Sequence, residues 1–198
     1  MMKRGLKHDF TLVAILLIPI GVAVNVVIGQ LVQILKIPLY LDVIGTMITA
    51  MVAGPWVGAV VGLANNLILS IFQPTILPFA LVSIAIGLTV GYLSKKKMLT
   101  TIGRTIVTGV IITLIAVVMS SVISVFLYGG ATGTSSDTIT ALLLASGQEI
   151  WTAVFTKNII VESVDKIVSI LIAYFIVRSM SDRYLSKLNY GSPYIKKK

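Results

Sequence analysis

The chain has 198 residues, of which 57% are hydrophobic and 12% are charged, and its mean hydropathy is +1.01. A soluble domain has about 25% charged residues, so this composition excludes an ordinary soluble protein and indicates a chain that is solvated by lipid. The net charge of +9 does not indicate a nucleic-acid partner, because the cations stand at the ends of apolar runs. With no cysteine and one histidine, we expect neither a metal site nor a cofactor.

Uncharged runs predict an all-α membrane protein with six transmembrane helices in one integral membrane domain over residues 1–198. Residues 10–35 carry no charge, which is enough to cross about 30 Å of hydrocarbon. Residues 43–94 are also uncharged, and breaks at Gly54-Pro55 and Gln73-Pro74 divide them into three helices, the first one short. The predicted helices are 10–32, 43–53, 56–72, 79–93, 105–127 and 158–177, with an outer loop and a short helix over 128–157.

The distribution of cations predicts the orientation. Six spans with the N- and C-termini in the cytoplasm place 13 of the 16 cations on the inner side, in accord with the positive-inside rule. We therefore expect a multi-pass protein of the cell (cytoplasmic) membrane. The inner cations are Lys3, Arg4, Lys7, Lys95 to Lys97, Arg104, Arg178, Arg183, Lys187 and Lys196 to Lys198.

Small residues recur at helical spacing on three of the predicted helices. Gly54, Gly58 and Gly62 share one face of the third helix, and Gly87 and Gly91 repeat the pattern on the fourth. Small faces let membrane helices approach closely, so we interpret both as internal packing. On the first helix, a stripe over 21–29 with an amide at its centre either packs inside the bundle or binds a partner.

Polar residues inside the apolar runs are the candidates for function. Amides in membrane helices are costly unless paired, so Asn65 and Asn66 either lock helices together or line a polar cavity. Glu162 and Lys166 are four residues apart, in the favourable order for a helical ion pair, which is either structural or part of a site. Trp151 is either an interfacial belt residue or the cover of a ligand pocket.

Motifs for catalysis are absent from the sequence. There is no phosphate-binding loop of the G-x-x-x-x-G-K-[ST] type, no H-E-x-x-H and no G-x-S-x-G. The sequence therefore favours binding or transport, and we do not expect an enzyme.

Three segments resemble a known family. The runs Pro38 to Thr46 (PLYLDVIGT), Gly54 to Asn66 (GPWVGAVVGLANN) and Val161 to Ile167 (VESVDKI) are similar to the substrate-binding S components of energy-coupling factor (ECF) type ABC transporters. The resemblance implies a high-affinity subunit that captures a vitamin or similar small micronutrient outside the cell. It also implies delivery through a transmembrane coupling subunit powered by two ATPase subunits.

The resemblance implies two sets of site residues. In the family, an alanine-x-x-x-alanine pair on the first helix contacts the coupling subunit; here Ala14 matches, Ile18 replaces the second alanine, and Gly21 is an alternative point of close approach. The pocket is formed by the first loop, which acts as a lid, and by the outer ends of later helices. The expected substrate-binding residues, with Tyr40 and Trp151 stacking on a ring, are Tyr40, Asp42, Asn66, Gln73, Trp151, Asn158 and Glu162.

Two other functions remain open from the sequence. A ligand-binding membrane sensor or scaffold module would share the pocket but would not transport and would not associate with ATPases. A small membrane enzyme is disfavoured by the missing histidines, cysteines and carboxylate cluster. The residues do not identify the micronutrient.

Overall fold

The computed structural model describes residues 9–195, and these residues form no strand. Two 3₁₀ turns, Pro74–Phe79 and Ser192–Tyr194, accompany the α-helices. The α-helices are α1 (Leu12–Ile34), α2 (Ile44–Ala53), α3 (Pro55–Phe72), α4 (Ala80–Lys95), α5 (Ile102–Tyr128), α6 (Asp137–Ala145), α7 (Ile150–Ser179) and α8 (Asp182–Leu185). The predicted inner cations Lys3, Arg4, Lys7 and Lys196 to Lys198 lie outside the described residues.

Four segments are long and apolar enough to cross a membrane: Leu12–Ile34, Pro55–Phe72, Pro74–Lys95 and Ile102–Tyr128. Large apolar side chains remain exposed on them, for example Ile71 at 77% and Leu114 at 62%. Contact of such apolar surface with lipid is energetically favourable, whereas its contact with water is unfavourable. The protein is therefore a multi-pass, all-helical membrane protein.

The last long helix begins earlier than the sequence predicts. α7 begins at Ile150, so residues 150–157 belong to it rather than to the predicted outer loop, and α6 is the short helix of that segment. The prediction missed this part of α7 because it contains polar residues, which are buried in the structure. Lys157 is 1% exposed and Asn158 is fully buried. Their polarity lowers the local hydropathy, but both side chains point into the bundle.

Glycines bring α3 and α4 into backbone contact, as the four-residue spacing predicts. A Cβ added at Gly87 would lie 2.6 Å from the carbonyl carbon of Gly58, and one at Gly91 would lie 2.3 Å from Cα of Pro55. Only glycine allows this approach, since real Cβ atoms do not come so close to backbone. The two helices form a rigid wall of the bundle.

The small stripe of α1 packs inside the protein. A Cβ at Gly21 would lie 2.8 Å from a methyl of Thr49, and Ala14 is 1% exposed. Asn25 locks α1 to α2, donating to Thr46 Oγ1 at 2.8 Å and accepting from the Gly45 amide at 2.6 Å.

The burial of this stripe bears on the predicted docking residues. Ala14 and Gly21 are enclosed by their own bundle, and Ile18 is half-buried against its core. Docking of a coupling subunit at Ala14, Ile18 and Gly21 stays a prediction; in the structure, the small face of α1 at Gly21 packs against Thr49 and Gly45 of α2.

The ten residues of α2 are all buried, and the two ends of this helix meet different parts of the chain. Its first turn follows the loop at Asp42. Its last turn meets the C-terminal tail, where the Tyr190 amide donates to Val52 O at 3.2 Å. The tail is fixed at this end of the bundle because Tyr190 also donates to Asp9 Oδ1 at 2.5 Å and the Tyr194 hydroxyl bonds Ser94 at 2.7 Å.

Candidate functional site

A cavity lies at the opposite end of the bundle from the C-terminal tail. Its volume is about 590 Å³ when the space at its open mouth is included. Loop, 3₁₀ and helical segments all contribute, so the cavity is bounded on several sides. Its lining residues are Tyr40, Asp42, Val43, Asn66, Thr75, Ile76, Phe79, Val82, Ser83, Ile86, Ser120, Thr132, Thr134, Glu162 and Lys166.

One side of this cavity is apolar and partly aromatic. Ile76 and Phe79 come from the 3₁₀ segment, and Val82 and Ile86 come from the first turns of α4. The Phe79 ring stacks on that of Tyr128 with centroids 6.3 Å apart and planes 10° apart. Flat apolar walls of this kind are typical of pockets for small organic ligands.

Asp165 fixes the loop that covers the cavity. Its Oδ1 accepts hydrogen bonds from the backbone amides of Tyr40 and Leu41, at 2.8 and 2.7 Å. Leu41 has a φ of +49°, a conformation that a leucine adopts only where surrounding contacts hold it. The carboxylate of Asp165 supplies those contacts from a point 124 residues away in the chain.

Lys166 completes a buried charge cluster beneath the loop. Its ammonium lies 2.5 Å from Asp165 Oδ2 and 2.9 Å from Glu162 Oε2. Ser120 donates to the other oxygen of Glu162 at 3.1 Å, and the ammonium lies 5.7 Å from the centroid of the Tyr40 ring. Each charge in the cluster has a partner, which is the condition for burying charges in an apolar bundle.

Asp42 lies at the edge of this cluster and is half-buried. Burial raises the pKa of Asp42 to about 6; the neighbouring ammonium of Lys166 lowers it, and the carboxylates of Asp165 and Glu162 raise it further. The carboxylate accepts a hydrogen bond from its own backbone amide. Asp42 therefore has fewer hydrogen-bond partners among the described residues than Asp165 has.

Asn65 and Asn66 of α3 differ in role: one joins elements of the bundle and the other lines the cavity. Asn65 Nδ2 donates to the Asp42 carbonyl at 3.1 Å and to Asn66 Oδ1 at 3.3 Å, so Asn65 holds elements together. Asn66 lines the cavity. Its Oδ1 also accepts from Ser83 at 3.1 Å, while its Nδ2 makes one long bond of 3.5 Å to Ile76 O.

A second covering segment, residues 130–137, which we call the strap, is ordered by Asp137. One oxygen of Asp137 accepts from the amides of Thr132 and Gly133, each at 2.7 Å. The carbonyl of Thr132 accepts from Thr75 Oγ1 at 2.7 Å, and Ser136 Oγ lies 2.9 Å from the Tyr40 hydroxyl. The strap is thus tied to the first loop and to the 3₁₀ segment.

The structure brings together four of the seven predicted substrate-binding residues. Tyr40, Asp42, Asn66 and Glu162 line the same cavity. Gln73 lines a smaller neighbouring pocket, where it accepts a hydrogen bond from Gln33 at 2.5 Å.

The remaining two lie elsewhere. Trp151 is 43% exposed and packs edge-on against Phe126, with ring centroids 5.3 Å apart. Asn158 is buried between α7 and α5 and donates to Ser121 Oγ at 2.8 Å. Trp151 and Asn158 therefore do not line the cavity, and Asn158 joins α7 to α5; their contact with a substrate stays a prediction.

Sequence reasoning did not select Phe79, Ser120 or the threonines of the strap as site residues. The motif Thr132-Gly-Thr-Ser-Ser-Asp137 carries a signal, since Gly, Ser, Thr and Asp together mark a loop and Asp side chains hydrogen-bond to nearby backbone groups. Phe79 and Ser120 carry no local signal, because neither residue type at its position differs from ordinary membrane-helix composition.

The comparisons with known proteins agree with this architecture. The model of the family described as "ECF-type riboflavin transporter, S component" matches residues 9–182. No curated protein and no solved structure matches the chain. The match covers all the long helices and both segments that cover the cavity, and the chain belongs to the family of ECF-type riboflavin transporter S components.

Proposed function

We propose that this protein is the substrate-binding subunit of an ECF-type importer in the cell membrane and that it binds a vitamin-like small molecule in the cavity beneath the first loop and the strap. The observation that carries the proposal is the ordered cover: two segments distant in sequence meet over the cavity and are tied to α7 and to each other. A cavity with an apolar wall, a few convergent polar groups and a removable cover is suited to capture.

Riboflavin is the first candidate substrate. The family description names it, and the apolar side formed by Ile76, Phe79, Val82 and Ile86 suits a flat ring system. The polar groups at Asp42 and Asn66 suit the heteroatoms at one edge of such a ring.

The proposal includes six membrane crossings with both chain ends in the cytoplasm. The four apolar spans account for four crossings; α2 with its flanking loop and α7 account for the other two. Lys166 pairs with both buried carboxylates, Glu162 and Asp165, which reduces the cost of placing the charged side chains of α7 in an apolar surround. The cation bias supports the orientation.

The energy source lies in the proposed partners. S components work with a transmembrane coupling subunit and two ATPase subunits, and this chain has no phosphate-binding loop of its own. Since Ala14 and Gly21 are buried, we place the partner contact on the lipid-exposed side of α1 rather than on its small stripe. Leu16 and Ile20 are more than half exposed there.

Purified protein in mild detergent is titrated with riboflavin, and binding is measured by quenching of flavin fluorescence. We expect stoichiometric binding, and we expect Phe79→Ala to weaken it roughly 30-fold, since loss of an aromatic wall removes about 2 kcal/mol of contact. Phe155→Ala is the matched control, because Phe155 is 39% exposed and lies outside the cavity.

Co-purification separates transport from sensing. The protein should associate with a coupling subunit and two ATPases when these are expressed with it. Ligand binding by a protein that never associates with them would contradict the importer and favour a membrane sensor.

A further inference from the structure

The charged groups of α7 beside the cavity are already paired with one another. Both carboxylate oxygens of Asp165 are occupied, one by two loop amides and one by Lys166. Glu162 is occupied by Ser120 and by the same ammonium. A ligand that bound these groups would have to displace the charge-assisted hydrogen bonds of Asp165 or the ion pair between Glu162 and Lys166.

Two other groups that line the cavity, on Asp42 and Asn66, retain hydrogen-bonding capacity. The Asp42 carboxylate accepts a hydrogen bond from its own backbone amide, which leaves further acceptor capacity on its two oxygens. Asn66 has its oxygen occupied twice, but its amide group makes only one bond, at 3.5 Å. Towards a ligand, the site therefore presents an acceptor at Asp42 and a donor at Asn66.

Asn65 links the two residues that carry these groups. Its single amide nitrogen donates both to the backbone carbonyl of Asp42 and to the side-chain oxygen of Asn66. Asn65 is fully buried, so this arrangement does not depend on a mobile surface side chain. An acceptor and a donor that line one cavity match a ligand edge on which an N–H adjoins a carbonyl.

The charge balance restricts the ligand further. Asp42, Glu162 and Asp165 together with Lys166 amount to three carboxylates and one ammonium. Another nearby cation, Lys157, does not line the cavity. Its charge interacts with the carboxylates of both Asp137 and Glu162. An anionic ligand would add like charge to a partly desolvated, already acidic site, which is unfavourable.

We propose that Asp42 is the specificity-determining residue of the cavity, and that it selects heterocycles that present an N–H beside a carbonyl and carry no phosphate. The proposal rests on the proposed binding function and deepens it. In riboflavin the matching edge is the N3–H of the pyrimidine ring with its flanking carbonyls. The N3–H donates to Asp42, and the Asn66 amide donates to the carbonyl.

Three probes test the proposal in the purified full-length protein: riboflavin, 3-methylriboflavin, which lacks the N–H, and riboflavin 5′-phosphate. We expect the wild-type protein to bind riboflavin at least tenfold more tightly than either analogue, since a hydrogen bond to a carboxylate is lost in one case and an anion is added in the other. In Asp42→Ala, riboflavin should fall to the affinity of 3-methylriboflavin, and the difference between these two should disappear.

Two further variants make the result decisive. Asp42→Asn has the same size, removes the charge, and should narrow the gap between riboflavin and its phosphate even if the alanine variant folds poorly. Glu149→Ala removes an exposed acid outside the cavity and should leave all three affinities within twofold.

Equal binding of the three probes by wild type would overturn the proposal. An equal loss for all three in both Asp42 variants would also overturn it, because Asp42 would then be structural. If wild type associates with the coupling subunit and ATPases but binds no riboflavin, the ligand class is wrong and the importer stands. Selective riboflavin binding without any association contradicts the importer and leaves the role of Asp42 intact.

Discussion

Replacing Asp165 by asparagine should loosen the loop over the cavity without dismantling the bundle. In the wild type, Oδ1 of Asp165 accepts the amides of Tyr40 and Leu41 at 2.8 and 2.7 Å. Hydrogen bonds to a charged group contribute about 1.5–3 kcal/mol each, against about 0.5–1.5 kcal/mol for neutral partners. Asparagine keeps one carbonyl acceptor, so the two bonds together lose about 2 kcal/mol, which corresponds to a roughly 30-fold shift towards the open loop.

Hydrogen exchange at the amides of residues 40 and 41 measures this shift directly. We expect their protection to fall roughly 30-fold in Asp165→Asn, while amides in the middle of α5 keep theirs. Ser169→Ala is the matched control one turn along α7, because Ser169 is fully buried and its hydroxyl has no hydrogen-bond partner. Unchanged protection at residues 40 and 41 in the asparagine variant would refute the anchoring role of Asp165. It would indicate that the contact with Ser136 holds the loop instead.

Three further outcomes follow from the geometry. The pKa of Asp42 is raised to about 6, and its ionised form is the better hydrogen-bond acceptor, so riboflavin affinity should fall about tenfold from pH 7 to pH 5. The affinity of the Asp42→Asn variant should not change over the same pH range. A wild-type affinity that does not change with pH would contradict the acceptor role. Gly91→Ala places a Cβ 2.3 Å from Pro55 Cα and should lower the thermal unfolding midpoint markedly or prevent folding, whereas Gly103→Ala, with open space around it, should leave the midpoint unchanged. Trp151→Ala should leave riboflavin affinity within twofold, because this side chain lies outside the cavity; a tenfold loss would place it in the site after all.

Local spacing predicted the parts of the fold that depend on one or two neighbouring helices. The glycines at 87 and 91 lie against α3 in the structure, because a four-residue period necessarily places small residues on one helix face. The pair Glu162 and Lys166 is in contact at 2.9 Å for the same reason. Both patterns require only the geometry of a single helix and a close neighbour.

Contacts between segments that are distant in sequence could not be predicted from local spacing. A small face on α1 fits an internal neighbour and an external partner equally well, and only the packing of α2 decides that Gly21 is covered. Lys157 is charged, which predicts an exposed position in a loop, yet it is 1% exposed within α7. The bond from Leu41 to Asp165 joins residues 124 positions apart, and no local pattern specifies it.

The short, enclosed helix α2 sets the depth at which a ligand is held. Its ten residues rise about 15 Å, from the loop at Asp42 to the turn at Gly54, beside which Tyr190 and Asp9 close the other end. The hydrocarbon layer is about 30 Å thick. In the proposed orientation, a molecule bound at Asp42 would lie about 15 Å from the far end of α2, about half the thickness of the hydrocarbon layer, and α2 with its neighbours would separate it from the cytoplasm.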